Sequence, residues 1–385
     1  MIHHRPARAA GLIAAFALVA AATAPASAEF KLPSTVAITA YDTGSTGFNQ
    51  AVAIGAAFQD AAGVNLRILP GKNDIARAVP LRQGKVPFSA FGVGCYMMQE
   101  GAFDFANPDW GPQPIRVLMT NFAGTLGQSL AVAADAGVKE YSDLRGKRVA
   151  WIKGAPALNV NTEAYLAYGG LTWDDVEKVE FGGYGDSHKG LVNGQTDAVF
   201  SSTTAGGMFQ AEASPRGLYW PPIDPADTAA FGRMQDVAPY FRTMTATEGA
   251  VAATTEGGVP TAGYPYPALV AMESQDADLV YNMTKAMYET YPAYKGKAPG
   301  IDGWALELQS MEWVIPFHEG AIRYYKEVGA WTDAAQANND ALIARQKVLM
   351  DAWAALKAAD PADWATAWPE ARREALKAAG LKVVF

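Results

Sequence analysis

The chain has 385 residues, of which 50% are hydrophobic, with a formal net charge of −8 and a single cysteine, Cys95. This length is enough for two domains of ordinary size. The acidic balance argues against nucleic acid or an anionic membrane surface as a partner, and one cysteine excludes an internal disulfide.

Residues 1–28 have the pattern of a cleaved secretory signal peptide. Arg5 and Arg8 precede an apolar run of secretory rather than membrane-spanning length, and the small residues at 26–28 match a cleavage site. No later run of about 18 uninterrupted apolar residues follows. We therefore expect the mature protein to be soluble and exported to the periplasm.

From Thr35 the chain alternates strand-like and helical segments joined by glycine-rich turns. The pattern predicts strands at 35–41, 65–71 and 87–93, with a helix from Phe48 between the first two. A second round of the same alternation runs from Gln128 to Ser202. Such a pattern is typical of right-handed βαβ units on a mostly parallel sheet, so the predicted fold class is α/β.

The rest of the chain has a different character. Residues 224–261 are rich in Pro, Gly, Thr and Asp and are predicted to be long connections. After one more strand at 267–274 the chain becomes helical, including 302–314 and a tail from Thr332 to Ala379. We expect the tail to pack across the first domain or against a second subunit, which makes a homodimer through these helices one expectation.

The strongest local signal is the loop TAYDTGSTGFNQA at 39–51. Its glycines permit unusual backbone conformations, and a helix N-terminus presents free N–H groups. The loop therefore predicts either an anion site or an ordinary turn in which Ser or Thr caps the helix. The candidate ligand-binding residues here are Tyr41, Thr43, Gly44, Ser45, Thr46, Gly47 and Phe48.

A second loop, WIKGAPALN at 151–159, stands in the same context, between a strand and a helix. Lys153 is either a charge for the ligand or a solvated surface ammonium, and Asn159 either bonds a ligand or caps the helix. If two α/β domains face each other, both loops lie at carboxyl ends of strands, where open α/β sheets bind ligands. The candidates in this loop are Trp151, Lys153, Ala155 and Asn159.

Other candidates also follow predicted strands. Lys72 is either a carboxylate partner or an exposed lysine, Thr203 and Thr204 are either ligand donors or helix caps, and Tyr264 either closes over a ligand or packs a loop. Asn73 and Gly94 complete the set. We expect Cys95 to be a small buried residue, and His318 to be either a ligand or, as we favour, a helix cap.

Motifs for catalysis are absent from the sequence. No G-x-S-x-G, H-E-x-x-H, P-loop or G-x-G-x-x-G is present, and His188 and His318 are the only histidines after residue 28. We therefore expect no catalytic residue, no metal site, no cofactor and no enzyme activity, although carboxylate-based catalysis has no diagnostic spacing and stays open.

Four segments in order resemble the TAXI-type solute receptors of tripartite ATP-independent periplasmic (TRAP) transporters. They are AITAYDTGSTGFNQA, DLRGKRVAWIKG, GLVNGQTDAVF and IPFHEGAIRYYKEVG. The resemblance implies a two-lobed type II periplasmic-binding-protein fold with a ligand cleft between the lobes. It implies lobe I at 29–127 and 268–331 and lobe II at 128–267. The helical C-terminal extension at 332–385 is predicted from the sequence and is longer than expected for the family.

The same resemblance implies a function. A receptor of this kind binds a small organic acid, such as an amino acid, an oxo acid or a larger carboxylate, and delivers it to an ion-gradient-driven TRAP permease. An ABC-importer receptor or a ligand sensor on the same fold, and a periplasmic enzyme, are the alternatives. The second loop departs from the family because Pro156 has no N–H and Leu158 no hydroxyl, so we expect it to bind fewer anionic oxygens.

Overall fold

The computed structural model describes residues 1–3 and 30–385, and the predicted signal peptide falls outside the described residues except for its first three. Its strands are β1 (Thr35–Tyr41), β2 (Asn65–Gly71), β3 (Phe88–Phe91), β4 (Ile115–Thr120), β5 (Gln128–Val132), β6 (Arg148–Ile152), β7 (Glu177–Phe181), β8 (Ala198–Ser202), β9 (Arg242–Ala246), β10 (Val259–Gly263) and β11 (Ala268–Met272).

Twelve α-helices are found in the described part of the chain. They are α1 (Thr46–Ala62), α2 (Asp74–Arg82), α3 (Gly94–Glu100), α4 (Pro156–Tyr168), α5 (Tyr184–Val192), α6 (Gly206–Glu212), α7 (Thr228–Val237), α8 (Ala277–Glu289), α9 (Tyr291–Tyr294), α10 (Glu319–Glu327), α11 (Asp333–Ala359) and α12 (Trp364–Ala378). None of them is both long and apolar enough to cross a membrane.

The strands form two main sheets with the same internal order. The first sheet runs β2-β1-β3-β11-β4, with β2, β1 and β3 parallel and β11 antiparallel to both of its neighbours. The second runs β7-β6-β8-β5, with β7, β6 and β8 parallel and β5 antiparallel. We call each sheet with its packed helices a lobe, lobe I for the first and lobe II for the second.

The chain crosses between the lobes twice. It leaves lobe I after β4 to supply β5, and it returns after the β9–β10 hairpin to supply β11. Each antiparallel strand is therefore the first strand after a crossing. Because the parallel strands within each lobe run the same way, their carboxyl ends and the helix N-termini that follow them lie on one edge of each sheet.

Several predicted elements are confirmed and others are wrong. β1 and β2 have the predicted bounds, whereas α1 begins at Thr46 and not at Phe48. Residues 224–261 are not mere connections, since they hold α7 and the β9–β10 hairpin. Residues 302–314 were predicted to be helical but contain only two short 3-10 turns, because Gly303 packs against the backbone of Phe122 and Ala123.

The helical tail packs on lobe I, which confirms one of the two predicted positions. Its ion pairs converge on the fully buried Glu100 at the end of α3, which accepts from Arg345 of α11 at 2.6 Å and from Arg372 of α12. The indole of Trp368 donates to the carbonyl of Gly101 at 2.6 Å. A buried carboxylate flanked by two guanidiniums fixes the tail to the end of one helix.

Two residues follow the more ordinary prediction made for them. His318 caps α10, because its Nδ1 accepts from the N–H of Gly320 at 3.1 Å while Nε2 contacts the carbonyl of Glu273. Cys95 is buried, its thiol donates to the carbonyl of Gly92, and burial raises its pKa to about 12. A thiol with that pKa stays protonated and is not a nucleophile at neutral pH.

Candidate functional site

The two lobes meet through the helix N-termini at the edges of their sheets. The α4 N-terminus of lobe II contacts Asp74 of lobe I, whose Oδ2 accepts from the N–H of Ala157 at 2.9 Å. Pro156 has no N–H, so Ala157 provides the donor nearest the helix start. The helix N-terminus that was predicted to hold a ligand anion therefore holds a carboxylate of the protein itself.

The N-termini of two more lobe II helices donate to acceptors from lobe I. At α5 the N–H of Gly185 donates to Asp42 Oδ2 at 3.2 Å, and the N–H of Tyr184 donates to the carbonyl of Lys72 at 3.0 Å. At α6 the N–H of Gly206 donates to the carbonyl of Gly44 at 3.0 Å. The lobes are thus held together in a closed arrangement by three helix N-termini.

Hydroxyl groups of the first predicted loop, at 39–51, and of the loop after β8 also meet between the lobes. Thr46 Oγ1 lies 2.8 Å from Thr204 Oγ1, and Thr204 is also hydrogen-bonded to Ser202 at 3.0 Å. All three side chains are buried. Thr46 and Thr204 were predicted as ligand donors or helix caps, and in this arrangement their hydroxyls bond to each other.

A cavity lies between the lobes, beside these contacts. The centre of a water-sized sphere can move over a volume of about 20 Å³ inside it, so the cavity is small. A ligand enters it when the lobes move apart. The cavity is lined from both lobes by Tyr41, Arg77, Gly92, Val93, Gln128, Ala157, Leu158, Tyr184, Phe200, Ser202, Tyr264 and Tyr266.

Three polar atoms of this lining are buried without a hydrogen-bond partner: the hydroxyl of Tyr41, Nε of Arg77 and Nε2 of Gln128. A buried polar group left unpaired costs about 1–3 kcal/mol, so such groups are rare in folded proteins. Here three of them come from both lobes and line one cavity. They mark the cavity as a place where a polar ligand completes the hydrogen bonding.

Within the part of the chain that the structure describes, Arg77 is the one charged residue of the cavity lining. Its side chain is 1% exposed, and its guanidinium lies between the rings of Tyr41 and Phe91, 3.9 Å from each centroid. One end donates to Asp74 at 2.7 Å and to the carbonyl of Ala90 at 3.1 Å. These contacts fix the plane of the guanidinium and leave the Nε–H edge unpaired.

Burial keeps the other groups of the site neutral. Burial, reinforced by the nearby Asp74, raises the pKa of the Tyr41 hydroxyl well above its usual value. Tyr184, whose ring packs on His188 with centroids 4.1 Å apart, also has a raised pKa because of burial. Burial lowers the pKa of His188 to about 3. The tyrosines are therefore hydrogen-bond donors at neutral pH, and His188 is uncharged.

Some of the predicted site residues line the cavity, others lie at or next to the interlobe contact, and the rest lie elsewhere. Tyr41 and Tyr264 line the cavity. At the interlobe contact, Ser45 caps α1 by accepting from the N–H of Phe48 at 3.2 Å, and Thr203 accepts from the N–H of Gly127 at 3.1 Å. The predicted residues next to that contact are Thr43, which is exposed, with Gly44, Thr46, Gly47 and Thr204.

The remaining predicted residues lie outside the lining of this cavity and make contacts with the protein. Lys153 forms an exposed ion pair with Glu180 at 2.7 Å, and Asn159 bonds both the N–H and the carbonyl of Ile152. Trp151 packs on Trp173. Lys72 is exposed, Asn73 caps α2 and donates to the carbonyl of Lys153, Gly94 adjoins Asp74, and Ala155 is buried ahead of α4.

Sequence reasoning missed Arg77 and Gln128. Arg77 follows Asp74 by three residues in the first turns of α2, a spacing that joins the two charges on one helix face. Gln128 is the first residue of β5 and lies opposite Ser202 in the β5–β8 ladder. A charged residue and an amide at inward-facing positions were the available signals.

No cluster of three or more His, Cys, Asp or Glu side chains suited to a metal ion occurs among residues 1–3 and 30–385. The candidate site is therefore built from one guanidinium, one amide, hydroxyl groups and aromatic rings. Such groups bind and orient a small molecule through hydrogen bonds and apolar contact.

Two α/β lobes linked by two crossings and closed around a cavity define the type II periplasmic-binding-protein fold, as predicted. The chain belongs to the NMT1-like family, whose match covers residues 95–329 and so more than half of the sequence.

Similar solved structures include the alkanesulfonate-binding protein SsuA from Xanthomonas axonopodis pv. citri bound to MOPS. It is 12% identical, with 80% of this chain and 84% of that chain covered and a TM-score of 0.45. A periplasmic binding protein of an ABC transporter from Brucella ovis, with glutathione bound, is 13% identical, with 77% and 78% covered and a TM-score of 0.43. An ancestral arginine-binding protein bound to arginine is 14% identical, with 71% and 99% covered and a TM-score of 0.43.

Proposed function

We propose that this chain is a periplasmic solute receptor that encloses a small organic acid between its lobes and hands it to an integral membrane transporter. The observation that carries this proposal is the interlobe cavity with three buried, unpaired polar atoms, on Tyr41, Arg77 and Gln128. Two of these residues belong to lobe I and one to lobe II. A ligand that bonds all three stabilises the closed arrangement relative to the open one.

An acid is the ligand class that fits the hydrogen-bond donors of the cavity. Arg77 is the single charged residue among the described residues of the lining; Asp74 balances its charge, and its planar guanidinium keeps an unpaired Nε–H that suits a carboxylate oxygen. The neutral hydroxyl of Tyr41 adds a second donor. Binding and release in such a receptor involve no covalent step, so we propose no catalytic residue, cofactor or metal ion.

The transporter partner is the finer part of the proposal. The four ordered motifs that resemble TAXI receptors favour an ion-gradient-driven TRAP permease, and an ABC importer is the competing partner because receptors for both use two-lobed folds. A permease gene beside this one without an ATPase gene supports the TRAP partner, and an ATPase gene supports the ABC partner. Export to the periplasm rests on the predicted signal peptide, and N-terminal sequencing of the mature protein tests it.

Native mass spectrometry of the purified mature protein, followed by a thermal-shift screen, tests the receptor function. The panel contains amino acids, oxo acids, monocarboxylates and dicarboxylates. A ligand at 100 times its dissociation constant stabilises the protein by about 2.7 kcal/mol, which raises the melting temperature by several degrees. No shift with any acid, or chemical conversion of one of them, contradicts the proposal.

A further inference from the structure

We infer that the cavity selects a short monocarboxylate that carries no ammonium group and no second acid group. This inference rests on the proposed receptor function and specifies the ligand class of the same site. The observation that carries it is that the cavity has unpaired donors, while none of the described residues of its lining is acidic.

The unpaired groups can all donate hydrogen bonds. Arg77 donates from one terminal nitrogen to Asp74 and from the other to the carbonyl of Ala90, and its Nε–H has no partner in the protein. The Tyr41 hydroxyl and the Gln128 amide are the other two. One carboxylate has two oxygens and about four lone-pair sites, which is enough to accept from all three.

An ammonium group finds no ionic partner here. None of the described residues of the lining is Asp or Glu. The charge of Asp74, which pairs with Arg77 of the lining at 2.7 Å, is balanced by that guanidinium, and its Oδ2 accepts from the N–H of Ala157. Burying an ammonium without a carboxylate is costly, so an amino acid binds more weakly than the matching simple acid.

A second carboxylate lacks a partner for the converse reason. Arg77 is the only cation among the described residues of the lining, and the first carboxylate takes its unpaired Nε–H. The rest of the wall is apolar or aromatic, with Val93, Leu158 and Phe200 beside the tyrosine rings. This wall suits the short hydrocarbon tail of a monoacid and offers little to a second charged group.

Isothermal titration calorimetry of the mature protein with matched ligand pairs tests the inference. Propionate is compared with L-alanine, butyrate with L-2-aminobutyrate, and butyrate with succinate. We expect the affinity for the monoacid of each pair to be at least about tenfold higher than the affinity for its partner. A pair in which the amino acid or the diacid binds equally or more tightly overturns the ligand class while supporting the receptor function. No binding by any acid overturns both.

Two variants connect the selectivity to the cavity. Tyr41→Phe removes one hydroxyl and Gln128→Leu removes the amide, and each should weaken butyrate binding about tenfold. The control is Gln59→Leu, a glutamine exposed on α1, which should bind as the parent does. Circular dichroism first confirms that each variant is folded, and Tyr41→Phe carries the test alone if Gln128→Leu is not. Unchanged butyrate affinity in the folded cavity variants overturns the assignment.

Discussion

The carboxylate of Asp74 in lobe I accepts a hydrogen bond from the N–H of Ala157, in the first turn of α4 in lobe II, over 2.9 Å. The same side chain pairs with Arg77 at 2.7 Å and is fully buried. One carboxylate thus neutralises the cation of the cavity and satisfies the N-terminus of a helix from the opposite lobe.

Asp74→Asn should destabilise the protein strongly. The change leaves the buried guanidinium of Arg77 without its counter-charge, and removing one partner of a buried ion pair costs about 3–5 kcal/mol. Urea unfolding measures the loss. The control is Asp351→Asn, whose partner Lys347 lies 2.6 Å away on the surface and whose free energy of unfolding should change by less than about 1 kcal/mol. Equal effects for the two variants would contradict the assigned role of Asp74.

Asp42→Ala should shift the protein towards an open arrangement with little loss of stability. Asp42 is only half-buried, and its Oδ2 is the lobe I acceptor for the N–H of Gly185 in α5. Small-angle X-ray scattering should show a larger radius of gyration than in the parent. Asp186→Ala is the matched control, because that carboxylate lies at the same helix end, in the first turn of α5 itself, but pairs with Lys189. An unchanged radius in Asp42→Ala would show that this contact does not hold the lobes.

Glu100→Gln should loosen the C-terminal helices from lobe I. The carboxylate is fully buried between Arg345 and Arg372, so its neutralisation leaves two buried cations without an anion. We expect a loss of about 3–5 kcal/mol in the free energy of unfolding. Glu374→Gln removes an exposed carboxylate of α12 that pairs with Lys377 and should be close to neutral. Hydrogen exchange localises the effect, and protected amides in α12 of Glu100→Gln would contradict the prediction.

His188 should make stability depend on acid pH. Burial lowers its pKa in the folded protein to about 3, from an ordinary value near 6.5. Between these values the unfolded chain binds a proton that the folded chain does not. Stability is therefore lost as pH falls through this window, by at most about 1.4 kcal/mol per pH unit.

The measurement is the free energy of unfolding of the parent and of His188→Gln at several pH values between 4 and 7. The difference between the two curves isolates the histidine, because the other titrating groups are common to both proteins. It should widen in the direction of a relatively more stable variant as the pH falls. Parallel curves would show that His188 does not carry this dependence.

The strands of the core could be predicted because each carries its own signal. β1 and β2 are short apolar runs bounded by glycine, proline or polar turns, and the structure has them at the predicted residues. The segment 302–314 has a helical composition, but contacts around Gly303 from a distant part of the chain override it. Tertiary contacts of that kind leave no local signal.

The candidate site was predictable only in outline. The sequence indicated that loops after the strands face a cleft, and Tyr41 and Tyr264 do line the cavity. It did not indicate Arg77, whose position depends on rings from two separate strands, Tyr41 and Phe91. Nor did it show that a carboxylate 83 residues away would occupy the N-terminus of α4. Contacts between residues that are distant in sequence form only when the whole chain has folded, so no local sequence signal predicts them.

The lobe I carboxylates that bond the N-termini of α4 and α5 have a consequence for how a transporter distinguishes a loaded receptor from an empty one. Because Asp42 and Asp74 already satisfy those helix ends, the protein has a closed shape that is largely complete before cargo arrives. Under the proposed function, a transporter that recognised only the closed shape would also bind receptors without ligand. Such binding would deliver nothing. The strength of these two contacts therefore affects both the fraction of empty receptor that is closed and the affinity of the receptor for its ligand.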